Sequence, residues 1–183
     1  NQLSFLDYSP PSGQPLTISH QPLSIDYLSY SQIETFKTCP LHYRLKYILK
    51  LPTPPSASQS FGSSIHAALK SFYLKVREGK RPTEKLILEC LDGVWIKDGF
   101  TSKTHEKKFY EKGKLYLAGF LKEGFEPKNL PTLLEEQFVV PLGPPSHKAT
   151  EGNRLLKVGG RIDRVDVLKD ASIEIIDYKT GAT

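Results

Sequence analysis

Asp163, Asp177 and Lys179 are the residues whose types and spacing could do chemistry. They sit on two alternating, β-branched runs, residues 155–168 and 172–179, separated by Lys169-Asp170-Ala171. A hairpin turning on Asp170 places 163 opposite 177, Val165 opposite Ile175 and Val167 opposite Ile173. One face then reads as apolar with two carboxylates at its end, and Lys179 points to the same side because side-chain direction alternates along a strand. The other face, with Arg164, Asp166, Glu174 and Tyr178, reads as the solvated one. Facing carboxylates repel by roughly 0.2–1 kcal/mol, and by more when partly buried. A hard divalent cation relieves that repulsion, since Mg²⁺ prefers carboxylate oxygens and also takes phosphate oxygens of a substrate. Lys179 could orient an attacking water and stabilise charge developing at phosphorus. That assembly suits phosphodiester hydrolysis. The plainer reading makes both aspartates strand-end groups paired with Arg161, Arg164 and Lys179.

The elements that must position these residues follow from periodicity and breakers. Residues 1–27 contain Pro10, Pro11, Gly13, Pro15 and Pro22 without sustained periodicity and read as a linker. Ser31-Gln32-Ile33-Glu34 reads as a capping box opening a short helix to Thr38. Pro40 cannot continue that helix but suits the first turn of another, over 41–49. After a Pro/Ser loop at 52–60, Ile65, Leu69, Phe72, Tyr73 and Val76 recur at helical spacing over 62–78, with Gly79 as a left-handed stop. That helix carries His66. Two more helices are expected over 82–96 and 104–123, the second ended by Gly124. Past Pro131 the pattern becomes strand-like over 133–142, 155–168 and 172–179, with Pro144, Pro145 and Gly152 in the first connection. The expected fold class is α+β, a helical N-terminal half followed by a three-stranded β-meander.

Composition narrows the class without choosing a function. The chain has 183 residues, which suits one domain with a linker, and its hydrophobic share of 38% is enough for a core. No apolar run approaches the ~18 residues of a membrane span. Lys and Arg exceed Asp and Glu by 25 to 20, and the net charge of +5 fits a polyanionic partner without identifying one. Cys39 and Cys90 are too few for a disulfide scaffold and fit a reducing compartment, so a cytoplasmic location is expected. The chain opens on Asn1 and is expected to be a fragment of a longer one.

The runs Gly160-Arg161-Ile162-Asp163-Arg164-Val165-Asp166 and Ile175-Ile176-Asp177-Tyr178-Lys179-Thr180-Gly181 resemble the PD-(D/E)XK nuclease superfamily in its RecB/AddB-like branch. Two earlier stretches agree in order: 28–34 leading to Cys39-Pro40 and Tyr43, and Phe61-Gly62-Ser63-Ser64-Ile65-His66. The resemblance covers residues 28–183 and implies a restriction-endonuclease-like fold. It implies that Asp163 and Asp177 bind metal, that Lys179 is catalytic, and that His66 and the Tyr178 backbone carbonyl are further metal ligands. Glu135 matches an accessory acidic position, although Glu136 adjoins it. The ion implied is Mg²⁺, and an imidazole ligand makes Mn²⁺ an alternative. Cys39 matches the first cysteine of a 4Fe-4S cluster in AddB-like members, but the three further cysteines are not in this sequence. Cys39 is therefore expected to be a small buried residue before Pro40. The family's element after the last strand is also expected to be missing, so the domain reads as truncated.

The function this implies is a Mg²⁺-dependent deoxyribonuclease of DNA repair and recombination, acting on single strands or ends. It would be a module fused to or associated with a UvrD-like helicase. Tyr43, Arg44, Lys46 and Arg164 are expected to contact DNA, since aromatic faces stack on bases and cations follow phosphates. The alternative is a nuclease-like fold kept as a catalytically silent DNA-binding or partner-docking module.

Overall fold

The protein is described here by a computed structural model covering residues 25–142 and 156–181. Most of the expected linker and the Pro144–Pro145–Gly152 connection lie outside the described residues. Helix α1, Tyr30–Thr38, is capped by Ser29, whose hydroxyl accepts from the Gln32 amide. The cap is thus Ser29 and not the expected Ser31, which lies inside the helix. After Cys39, helix α2 (Pro40–Tyr43) starts on its proline and runs on as a π turn, Arg44–Ile48. Helix α3, Ala57–Arg77, begins within the expected loop because Ser56 and Gln59 form a reciprocal capping box. It stops before Gly79, whose φ of 90° is open to glycine. Helix α4 spans Glu84–Val94, and α5 spans Lys103–Gly119 before a π turn at Phe120–Gly124.

The core lies along one stripe of α3. Phe61, Ile65, Ala68, Leu69, Phe72 and Tyr73 bury themselves against Ile87, Cys90 and Leu91 of α4 and Leu117 of α5. Gly113 of α5 has no side chain where Ile65 and Phe61 press closest. Three strands close the fold: β1 (Leu133–Pro141), β2 (Lys157–Val167) and β3 (Ile173–Ile176). They form the expected antiparallel meander in the order β1-β2-β3. Leu134 carries the sheet onto the helical core.

The β2–β3 hairpin pairs Val165 with Ile175 and Val167 with Ile173, the register expected about Asp170. Asp170 closes the turn by accepting from the Ser172 amide at 3.0 Å and its hydroxyl at 2.6 Å. Those bonds hold its carboxyl below the usual range. Ala171 takes the left-handed position of the loop with a φ of 63°.

The covered face departs in part from the expectation: Val165 and Asp163 are buried and Glu174 is exposed as expected, but both faces of β2 are covered over 163–166. Val167, Ile173 and Ile175 are exposed, whereas Arg164 and Asp166 are 4% and 0% exposed. The reason is a polar network that replaces an apolar lining. Arg164 forks onto Asp166 at 2.7 and 2.5 Å, and donates to the Tyr73 hydroxyl and the Asn129 carbonyl. Asn129 in turn donates to Asp166. A charge pair so fully bonded can lie against α3, as an unpaired charge could not. Burial is the largest single influence and works against the Arg164 charge, but the bonds to Asp166 together with the neighbouring Tyr178 and Tyr73 hydroxyls outweigh it and raise its pKa.

Candidate active site

Strand β3 ends at Ile176, three residues before the expected end. The reason is Asp163: its Oδ2 accepts the Tyr178 amide at 2.8 Å and draws the chain out of the ladder. Across the site, His66 on α3 brings its other partners. Its Nε2 lies 3.1 Å from the Tyr178 carbonyl, and its Nδ1 lies 3.0 Å from Glu135 Oε1 and 3.3 Å from Asp163 Oδ1. His66, Glu135 and Asp163 form the one cluster of potential metal-ligating side chains among the described residues. Consecutive residues Asp163 and Arg164 thus both reach α3, at His66 and at Tyr73. Two turns of helix separate these anchors.

Glu135 enters this cluster through its backbone. It sits within β1 at a φ of 53°, a left-handed conformation that is unfavourable for a non-glycine residue. Its side chain is 8% exposed, while neighbouring Glu136 is exposed. Arg161 donates to its second oxygen at 3.1 Å. The carboxylate that joins Asp163 is therefore Glu135. Asp177, expected face to face with Asp163, is instead 58% exposed and pairs with Lys179 at 2.6 Å.

Lys179 keeps its expected side relative to Asp177. The hydrogen bond and charge of Asp177 raise its pKa, with smaller contributions from Asp163 and from Tyr30 at the start of α1. Tyr178, whose amide bonds Asp163 and whose carbonyl contacts His66, brings the backbone of the next residue, Lys179, to the edge of the cluster. Gly62 lets the segment after β3 cross α3: a Cβ there would lie 3.2 Å from the Thr180 hydroxyl oxygen. The Tyr178 ring is half-buried between His66 and Phe120. Burial pushes its phenol pKa up, opposed by the neighbouring Arg164 and Tyr73, and among the described residues its buried hydroxyl has no partner at hydrogen-bond geometry.

The residues present fit a divalent cation. A carbonyl oxygen only accepts, so the Tyr178 contact puts a proton on Nε2 of His66, and a metal ion would take the tautomer whose Nδ1 is bare. The Nδ1 lone pair then faces two carboxylate oxygens, an arrangement that a cation between them satisfies. In a protonated imidazole, the second proton would fill the same place.

The cluster opens into a cleft of about 480 Å³ whose walls also carry Ser63, Lys70, Gln137 and Arg161. Sequence reasoning did not single these out as site residues. The signal was available: Lys70 follows His66 by one helical turn, and Arg161 and Gln137 stand two residues from Asp163 and Glu135.

The remaining expectations separate. Arg164 is buried beneath the sheet, which corrects its assignment as a DNA contact. Tyr43 is half-buried in an aromatic row between Phe36 and Tyr47, Arg44 is exposed, and Lys46 lies 5.2 Å from the Tyr47 ring centre. Cys39 is partly exposed, not buried as expected, because its sulfur caps α2 by accepting the His42 amide. Cys90 lies in the core, far from solvent at 1% exposure.

Comparison with known proteins gives relatives of a single name. An ATP-dependent helicase/deoxyribonuclease subunit from Carboxydothermus hydrogenoformans is 31% identical over 178 residues, covering 85% of this chain and 16% of the relative. The protein of the same name from Clostridium botulinum strain Hall is 28% identical over 181 residues, covering 85% and 15%. That from Heliobacterium modesticaldum is 30% identical over 177 residues, covering 84% and 14%. The chain therefore spans about a sixth of the length of these curated relatives. The family description that matches, over residues 27–183, is the PD-(D/E)XK nuclease superfamily. With its α+β, restriction-endonuclease-like fold, the chain belongs to the PD-(D/E)XK nuclease superfamily.

Proposed function

We propose that this chain is a metal-dependent deoxyribonuclease module of DNA repair and recombination, working in the cytoplasm within or beside a helicase. The observation that carries the reading is the convergence of His66, Glu135 and Asp163 beside the segment that carries Lys179. A divalent ion held there, Mg²⁺ or Mn²⁺, would supply charge neutralisation at the phosphate oxygens. Asp163, Glu135 and His66 would hold it, joined by Asp177 and the Tyr178 backbone carbonyl. Lys179 is the catalytic cation: its ammonium donates to the attacking water or to a phosphate oxygen as negative charge builds there. Lys70 and Arg161, on the walls of the cleft, hold the neighbouring phosphates. The positive net charge supports a nucleic-acid strand as substrate. The relatives' name supports DNA and an ATP-dependent helicase as the context. Single strands or unwound ends are the proposed substrate.

The test is cleavage of end-labelled single- and double-stranded DNA by the full-length protein with Mg²⁺, with Mn²⁺ and with chelator. Cutting should need the ion and be lost in Asp177→Ala and Lys179→Ala. Cleavage unchanged in both variants would overturn the assignment.

A further inference from the structure

A second recess lies between the 25–27 segment, α1 and the π turn after α2. It has a volume of about 230 Å³, and its lining includes Asp26, Tyr27, Gln32, Lys46, Tyr47 and Lys50. We propose that it is a nucleobase pocket on the path of the DNA strand, selecting a base with an exocyclic amino group. The proposal rests on the nuclease reading and adds a specificity to it.

Gln32 carries the argument. The residue is 8% exposed, and its Oε1 is buried with no hydrogen-bond partner among the described residues. Folded proteins rarely leave a buried acceptor unmatched, and because Gln32 lines the recess, a donor seated at its floor would supply the missing bond. The walls suit a base. Tyr27 lies so close over Gly159 that a Cβ there would stand 2.5 Å from the ring. Its strand segment is tied to β2 by Leu28 N to Lys157 O at 2.8 Å and Gly159 N to Leu28 O at 2.9 Å. Tyr47 packs on Tyr43, with Lys46 against its ring. Two fixed aromatic side chains flanked by Lys46 and Lys50 combine base stacking with phosphate tracking.

Size and polarity narrow the ligand. The recess is smaller than the roughly 300 Å³ lower bound of ordinary small-molecule pockets, so it suits a base with its sugar-phosphate left outside. Gln32 Oε1 and the Asp26 carboxylate accept hydrogen bonds. Cytosine and adenine offer an exocyclic amino donor, whereas thymine and uracil offer another acceptor at the matching position. The recess is also near the chemistry. From Gly159 to Asp163, β2 rises about 13 Å.

The test compares short single-stranded homopolymers of dC and dU, which differ at C4, amino against carbonyl, and at N3, bare against protonated. Their binding to full-length protein in chelator is followed by fluorescence anisotropy, and their cleavage is measured with Mn²⁺. The dC strand should bind roughly three- to tenfold more tightly, the worth of one hydrogen bond. Gln32→Leu should erase the difference and Gln32→Glu, which keeps an acceptor oxygen, should retain it. Tyr47→Ala should weaken both strands. Equal binding of dC and dU by the unaltered protein overturns the pocket while ion-dependent cleavage still stands. Absence of both binding and cleavage overturns the nuclease reading and the pocket with it.

Discussion

Arg164–Asp166 and Asp177–Lys179 are the same chemical pair, a cation two residues from a carboxylate, placed on one hairpin. Their side chains are 5% and 0% exposed in the first pair and 83% and 58% in the second, cation before carboxylate. The first is locked by Tyr73 and Asn129, so its charges are spent within the protein. Among the described residues the second has only its own partner, and it flanks Tyr178, which is bonded to the metal-ligand cluster, so both of its charges can turn to a substrate or an ion. The comparison separates holding from reacting. One pair anchors the hairpin to α3, and the other is left free by the early end of β3.

The largest effect expected from breaking this contrast is on stability. Arg164→Met strands a buried carboxylate and should cost about 3–5 kcal/mol in urea unfolding, whereas Lys179→Met should leave the midpoint almost unmoved. Replacing Arg164 and Asp166 together with apolar residues of similar volume should recover much of the loss. Next is activity: Lys179→Ala should lower the cleavage rate by about 10²–10³-fold, as removal of one preorganised donor does elsewhere. An equal loss of stability in both cation variants would erase the distinction.

A smaller effect sharpens how the free pair is placed. Gly62→Val should push against Thr180 and displace the segment carrying Lys179, lowering the cleavage rate by about ten- to a hundredfold with the unfolding midpoint retained. The smallest lies at the turn that joins the two strands. Ala171→Gly relieves a left-handed residue and should stabilise by at most about 1 kcal/mol in thermal unfolding, with no change in cleavage.

The hairpin was legible because its register follows from symmetry about a turn residue, and the observed pairs keep it. The helices were legible from apolar spacing on α3, although its start was not, since Ser56 and Gln59 sit in a Pro/Ser stretch that reads as loop. The face carrying Arg164 and Asp166 was misread because hydrophobic patterning assumes that buried means apolar. Arg164 and Asp166 satisfy each other and bury as a unit. Asp163 was placed on the right strand and side of the hairpin turn. Its carboxylate partner was not, because a left-handed Glu135 within a strand leaves no mark in composition or period. His66 came from the resemblance alone, and Lys70 and Arg161 were passed over although they stand at periodic spacing from His66 and Asp163.

The central claim is that His66, Glu135 and Asp163 hold a divalent ion beside Lys179. Mn²⁺ binding by the full-length protein, read by electron paramagnetic resonance in titrations of the unaltered chain and of Asp163→Asn, tests it most directly. Saturable Mn²⁺ binding that weakens by about tenfold or more in Asp163→Asn is the predicted result. Equal Mn²⁺ affinity in the two proteins would contradict it.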